Sequence, residues 1–336
     1  MYYRAHQIDW NSHRGVTLVE LMVSMLLGIV LSGGMVSAYL TAKRSHYYED
    51  QMARIQENGR YAMRLLSREL SMTGFRGGVP LLTAVPPGTV RGDCTDRDWV
   101  LDTTNPLELV SNHAGGSAVV TSHHTVLICL DGTSIVPNTD LIALKRTAAQ
   151  ASLRDGIPAL NLTVSPTENW YLQVMSGREP TWEKLSANDL LDSSRALRSL
   201  SYWKAVTRIF FVRRYSEASQ KSAEIPSLCM KTLAGDAMTS RCLVEGVEDM
   251  QFEFGIDRDG DGIPNQYTDA PAKIDMLHVV TVRVYLLLRS ILPVSGYRDE
   301  KVYALGRKLL PARRDAYLRR TFSSTIWLRN RVEPVG

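Results

Sequence analysis

Between Val16 and Leu40 the chain has no Lys, Arg or His, and no other apolar run of that length occurs in its 336 residues. The second absence excludes a multi-span membrane protein; about 20 helical residues cross the hydrocarbon layer, so the run supports one span at most. Cysteine is scarce too. Cys94, Cys129, Cys229 and Cys242 are the only four, and none stands in a C-x-x-C pair, which removes the commonest zinc and dithiol redox motifs. The sequence also lacks G-x-S-x-G, P-loop and Rossmann fingerprints, and His123-His124 lie outside any H-E-x-x-H frame. An enzyme therefore has no catalytic motif to rest on. A formal charge of +4 is too small to argue for nucleic acid by itself. No internal repeat is present.

What is present begins with the apolar run itself, in which Glu20 is the one charged residue. A carboxylate in lipid costs several kcal/mol unless it is paired or protonated, so an acid at this depth points to function. An ordinary signal peptide, with Val36-Ser37-Ala38 as its cleavage site, accounts poorly for both the acid and the length of the run, since apolar cores of cleaved signals span about 7–15 residues. The span offers Glu20 no basic side chain. A cut between Gly15 and Val16 would supply one cation, the new α-amino group, a helical turn from Glu20 or facing the Glu20 of a neighbouring subunit. Arg4 and Arg14 precede the run and Lys43 and Arg44 follow it, which leaves the positive-inside rule silent on orientation.

From Ala42 to Thr73 no Pro occurs, and Met52, Ile55, Ala62, Leu65, Leu66 and Leu70 recur at helical spacing, so an amphipathic helix continues from the apolar one. Gly74 is the expected stop. Gly59 weakens the helix locally by up to about 1 kcal/mol relative to Ala. Beyond Gly77-Gly78 the period changes to alternation. Met250 to Ile256, Val280 to Leu286 and Phe322 to Leu328 each put apolar residues on one face, and strands are also expected at Thr125 to Leu130, Asp140 to Lys145, Asn169 to Val174 and Ala205 to Arg213. Long loops are expected near Pro80 to Asp98 and Pro180 to Arg198, the second with a short helix. The fold class is α+β: a long N-terminal helix whose second half packs on an antiparallel β-sheet domain. An even cysteine count behind an export-like segment reads as two disulfides. Of three possible pairings the sequence-local ones, Cys94 with Cys129 and Cys229 with Cys242, are the expectation.

One motif suits a metal. Asp257, Asp259 and Asp261 alternate and Gly262 follows, the opening of a D-x-D-x-D-G calcium loop in which hard oxygens wrap a hard cation. Ile263 would offer its carbonyl at the seventh position and Asn265 would stand at the ninth. Thr268 holds the twelfth in place of Glu, so Asp269 is the candidate replacement, and loop 257–269 is the expected Ca2+ site. A Gly-rich turn between strands is the alternative. Arg313, Arg314, Arg319, Arg320, Arg329 and Arg331 make the C-terminal region basic; this reads as a solvated strand face, with a patch for DNA or lipid headgroups as the alternative.

Gly15-Val16-Thr17-Leu18-Val19-Glu20-Leu21 resembles the class III signal of type IV prepilins, although Val16 stands where Phe is commonest. The resemblance implies cleavage after Gly15 by a prepilin peptidase, methylation of the new amine on Val16, and retention of the apolar helix, with Glu20 as an assembly contact. Gln56 to Met63 and Arg68 to Gly77 closely resemble the PilW group of minor pilins, as do Leu243 to Met250, Val279 to Val284 and Arg319 to Thr325. That likeness implies a non-enzymatic subunit for type IV pilus assembly or priming: leader 1–15, transmembrane and assembly helix 16–40, amphipathic helix half 41–76, and periplasmic globular domain 77–336. It places the chain in the inner membrane of a Gram-negative cell and then in the surface pilus. Its partners would be other minor pilins, the major pilin, the prepilin peptidase and a tip adhesin, with nucleic acid the least favoured. A type II secretion pseudopilin and an exported calcium-binding protein released by ordinary signal peptidase are the alternatives.

Overall fold

The computed structural model describes residues 15–80, 83–217 and 224–330. Its contacts divide the chain into two compact units, Met1–Asp50 and Gln51–Gly336. One helix, α1 (Leu18–Ser71), begins in the first unit and ends in the second. Its 54 residues make about 81 Å of helix at ~1.5 Å per residue, and three residues beyond its end Gly74, at a φ of 78°, turns the chain in the left-handed conformation that glycine adopts without a Cβ penalty. From Leu18 to Asp50 every residue is exposed. From Gln51 onward a stripe is buried at helical spacing: Gln51, Ile55, Gly59, Ala62, Leu66, Glu69 and Leu70.

The second unit holds the strands β1 (Leu107–Val110), β2 (Leu141–Thr147), β3 (Leu153–Arg154), β4 (Ile157–Pro158), β5 (Asn169–Met175), β6 (Thr181–Leu185), β7 (Leu200–Arg213), β8 (Ser227–Ala234), β9 (Ala237–Glu245), β10 (Val247–Ile256), β11 (Gln266–Thr268), β12 (Val279–Arg289), β13 (Tyr303–Leu305), β14 (Lys308–Leu310) and β15 (Arg319–Trp327). They form two main sheets where one was expected. In the first, the 14-residue β7 is the hub, pairing antiparallel with β2, β3, β5 and β8. The second has the order β11-β10-β12-β15, all antiparallel. Val282, Val284 and Leu286 of β12 and Phe252 and Phe254 of β10 share one core with Ile55, Ala62, Leu66 and Leu70 of the helix and with Phe210 and Val212 of β7. Each large apolar side chain buried there contributes about 1.5–3 kcal/mol. The β13–β14 hairpin sets Tyr303, Leu305 and Leu310 against Leu287 of β12, in a separate apolar cluster.

The other side of the first sheet is also covered. Val90, Trp99 and Leu101, together with Leu127 and Leu130, pack against Ile209 and Phe211 of β7, and the Cys94–Cys129 disulfide ties these two loop stretches together. Cys229 and Cys242 stand opposite each other in β8 and β9 and form the second disulfide, so both sequence-local pairings are present. The expected strand at Thr125 to Leu130 is not. Those residues form turns and one isolated bridge, Val120 to Val126, because Leu127 and Leu130 turn inward at a spacing of three while Val126 and Ile128 face solvent. Pro180 to Arg198, expected as a loop, contains β6 as well as a short helix at Ala187–Leu190.

Candidate functional site

Gly15 and Val16 precede the helix in non-helical conformation; residues 1–14 of the expected leader lie outside the described residues. At the helix start, Thr17 donates its N–H and its hydroxyl to Glu20 Oε2, each at 2.9 Å, and Glu20 returns its N–H to Thr17 Oγ1 at 3.3 Å. This is a capping box, in which two otherwise orphaned donors of the first turn are satisfied reciprocally, and the acid sits where the helix dipole favours it. The sequence signal for it is T-x-x-E over Thr17 to Glu20, a local cap motif that the view of Glu20 as a lipid-facing charge does not contain. The Glu20 carboxylate thus has a partner within its own chain.

The carboxylate loop leaves the end of β10. Asp257 is buried, while Asp259 and Asp261 are exposed, and one carboxylate oxygen from each lies within 4.8 Å of the others. Asp257 accepts the N–H groups of Gly260 and Gly262 at 2.7 and 2.9 Å, and Asp261 accepts that of Ile263 at 2.7 Å. Asn265 is engaged as well: its Oδ1 accepts from the Arg258 N–H at 2.7 Å and its amide donates to Asp259 at 3.1 Å. Three hard carboxylates this close suit a hard divalent cation, which would offset their mutual repulsion. Asp269 does not join them. It faces the Arg307 guanidinium at 3.8 Å, so three of the proposed side-chain ligands converge and the fourth acid is held elsewhere by an opposite charge.

Three segments far apart in sequence meet beside the helix. Asn58 of α1 donates to the Glu245 carbonyl at 3.1 Å, and Gly59 abuts the ring of Phe322 in β15. Arg319, at the start of β15, grips Glu248 with two hydrogen bonds of 2.6 and 3.0 Å and also reaches Asp299 and Asp315. Burial pulls the Arg319 guanidinium down, but the hydrogen bonds to Asp315 and Glu248 outweigh it and hold the group above its ordinary value. Arg319 is therefore no part of a solvated basic face, which corrects the reading for this one arginine; Arg313, Arg314, Arg320 and Arg329 are exposed as expected, and Arg331 lies outside the described residues. Glu69 of the helix likewise pairs, buried, with Arg146 at 2.8 Å and with Arg208. His123 is tucked in 4.0 Å from the buried Glu108, itself paired with Lys145 at 3.2 Å; burial lowers both the imidazole and the Lys145 amine.

Residues 209–330 match the family model described as Type IV Pilus-assembly protein W, and residues 10–36 match the Prokaryotic N-terminal methylation motif. No curated protein matches the chain. Among solved structures the chain is similar to a type IV-like pilin from Thermus thermophilus, at 12% identity over 82% of this chain and 96% of that one, with a TM-score of 0.35. A PilW domain behind a prepilin methylation motif is the make-up of a type IV pilus minor pilin of PilW type, a structural part of pilus assembly. The same two matches go with a membrane-anchored pilin that associates with other pilus components, and α1 is long and apolar enough to cross a membrane. They favour neither the secretion pseudopilin nor the exported calcium-binding protein.

Proposed function

We propose that the protein is a non-enzymatic minor pilin that primes or extends a type IV pilus, entering it through α1 after cleavage between Gly15 and Val16. The observation that carries this reading is the capped helix start: the methylation motif runs into a helix whose apolar part, up to Leu40, has Glu20 as its single acid, four residues after the new terminus. Before assembly the chain would lie across the inner membrane with the unit from Gln51 onward in the periplasm, and afterwards at the cell surface. Other minor pilins, the major pilin, the prepilin peptidase and a tip adhesin are its proposed partners. The test is the mature N-terminus of membrane-extracted protein together with the piliation of a deletion strain. A start at Val16 with lost pili supports the reading, while a start at Tyr39 sinks it.

Calcium in loop 257–269 is a second proposal, supported by the convergence of Asp257, Asp259 and Asp261. Those three would hold the ion, with Asn265 and the Ile263 carbonyl beside them, and Asp269 would join only by leaving Arg307. A bound ion would supply charge neutralisation that stiffens the connection between β10 and β11. Titration calorimetry with millimolar calcium and no heat would end this proposal.

A further inference from the structure

A cleft of about 560 Å³ opens between the ends of β7 and β12, the strand β14 and the chain that follows it. Four cations line it: Arg214, Arg289, Lys308 and Arg313. The acids in the cleft do not neutralise them all. Glu248 is already bound to Arg319 at 2.6 Å, and Asp249 to Lys308 at 2.7 Å. Arg289 donates to the Glu224 carbonyl at 2.8 Å and lies over the Tyr317 ring at 4.1 Å, and Arg214 reaches the Ile135 carbonyl. Among the described residues, no carboxylate comes within ion-pair distance of Arg214, Arg289 or Arg313. Glu224 is the one acid of the cleft left to set against three unneutralised guanidinium groups.

We propose that this cleft is a docking site for a carboxylate-bearing segment of a partner protein. Guanidinium groups present planar forks that bind carboxylates bidentately, and a concavity of this size holds a few side chains. Between the cations the walls are apolar, from Val136, Pro137, Leu310 and Pro311, which suits a polypeptide that alternates acidic and apolar residues. A nucleic acid strand fits less well. No aromatic side chain lines the cleft to stack a base. The site does not depend on whether the chain enters a pilus, because all its lining residues belong to the unit from Gln51 onward.

The test uses the full chain in detergent micelles and fluorescence anisotropy of a labelled peptide of alternating Glu and Leu. Its Gln-for-Glu counterpart and a labelled single-stranded oligonucleotide run in parallel. The Glu peptide should bind, weaken with salt, and lose about tenfold or more in affinity to an Arg214→Gln/Arg313→Gln double variant, as expected for charge-assisted hydrogen bonds. The Gln peptide should not bind. Both arginines are exposed, so the double variant should keep the wild-type unfolding midpoint, and an Arg97→Gln/Arg178→Gln variant, altered at exposed sites outside the cleft, should bind as the wild type does. The proposal is overturned if the Glu peptide fails to bind, if both double variants lose affinity alike, or if the oligonucleotide binds more tightly and shows the same loss.

Discussion

Gly59 of the helix and Phe322 of β15 occupy one space: a Cβ added at Gly59 would lie 2.6 Å or less from three atoms of the Phe322 ring, closer than real Cβ atoms approach. A glycine that seemed only to weaken the helix is what lets the second sheet come against it. Gly59→Ala should therefore destabilise the protein, although Ala is the better helix former by about 1 kcal/mol. Overpacking of this kind costs about 1–3 kcal/mol. Phe322→Leu should by itself cost stability and yet rescue much of the Gly59→Ala loss, a coupling that a double-mutant cycle in urea would read. Additive effects of the two substitutions would show that the ring moves aside freely.

Arg319 is the second point of closure. It meets Glu248, Asp299 and Asp315 while only 1% of its side chain is exposed, and Asp299 is wholly buried. Arg319→Ala leaves those acids without their cation, so a loss of about 3–5 kcal/mol is expected. Arg319→Lys should recover only part of it, because an ammonium cannot fork across two carboxylates. Urea unfolding midpoints decide this. A loss within 0.5 kcal/mol, the ordinary size of a surface change, would mean that the network contributes little.

The same network sets a pH dependence. The hydrogen bonds from Arg319 hold the Asp315 carboxyl below its ordinary value, against the opposing effect of burial. An acid whose folded value is depressed binds its proton less readily in the folded state than in the unfolded one. Its contribution is then complete above the unfolded value near 4 and is lost as pH falls through the folded value. Asp315→Asn should thus be less stable than the parent at pH 6, and the gap should narrow as pH drops below about 4. A gap that stayed constant between pH 6 and pH 3 would remove Asp315 from the acid response.

These relationships explain what the sequence disclosed and what it hid. Val280 to Leu286 and Met250 to Ile256 were legible because one face of each strand meets the core and alternation records that. The hairpin of β8 and β9 was not legible, since β9 is an edge strand in which Val244 alone is fully buried and Met238, Cys242 and Leu243 are only half-buried, which leaves a weak alternation. Thr125 to Leu130 misled for the opposite reason: its apolar residues are plentiful, but burial there follows a turn and not a period of two. Arg319 was unreadable in principle, because its three acids come from positions 248, 299 and 315 and only the fold brings them together. The acid-rich loop was found by motif, but the diversion of Asp269 to Arg307 depends on where β14's hairpin sits.

Calcium should act through that loop as a ligand of the folded state. An ion at 100 times its dissociation constant stabilises by about 2.7 kcal/mol, so millimolar calcium should raise the thermal midpoint of the full chain, and chelation should reverse it. Asp259→Asn with Asp261→Asn should abolish the shift and leave the metal-free midpoint nearly unchanged, since both side chains are exposed. Arg307→Gln, which releases Asp269, should strengthen binding if that acid can serve as a ligand. A calcium shift that survives the double Asn variant would place the ion elsewhere.

Glu20 has two candidate roles that separate cleanly. As a cap it completes the box with Thr17, and loss of such a cap costs about 1 kcal/mol of helix stability. As an assembly contact it would meet the amine that cleavage creates at Val16, its own or a neighbour's. Thr17→Val removes the hydroxyl that bonds Glu20 and accepts its N–H, yet keeps the carboxylate; Glu20→Ala removes both roles. If assembly needs the charge, the Thr17→Val chain should enter pili nearly as well as the parent, while the Glu20→Ala chain should reach the membrane, be cleaved, and be depleted from sheared pili. Immunoblots of pilus and membrane fractions measure both. Equal depletion of the two variants would show that Glu20 acts by starting the helix, and equal incorporation of both would leave the acid without a part in assembly.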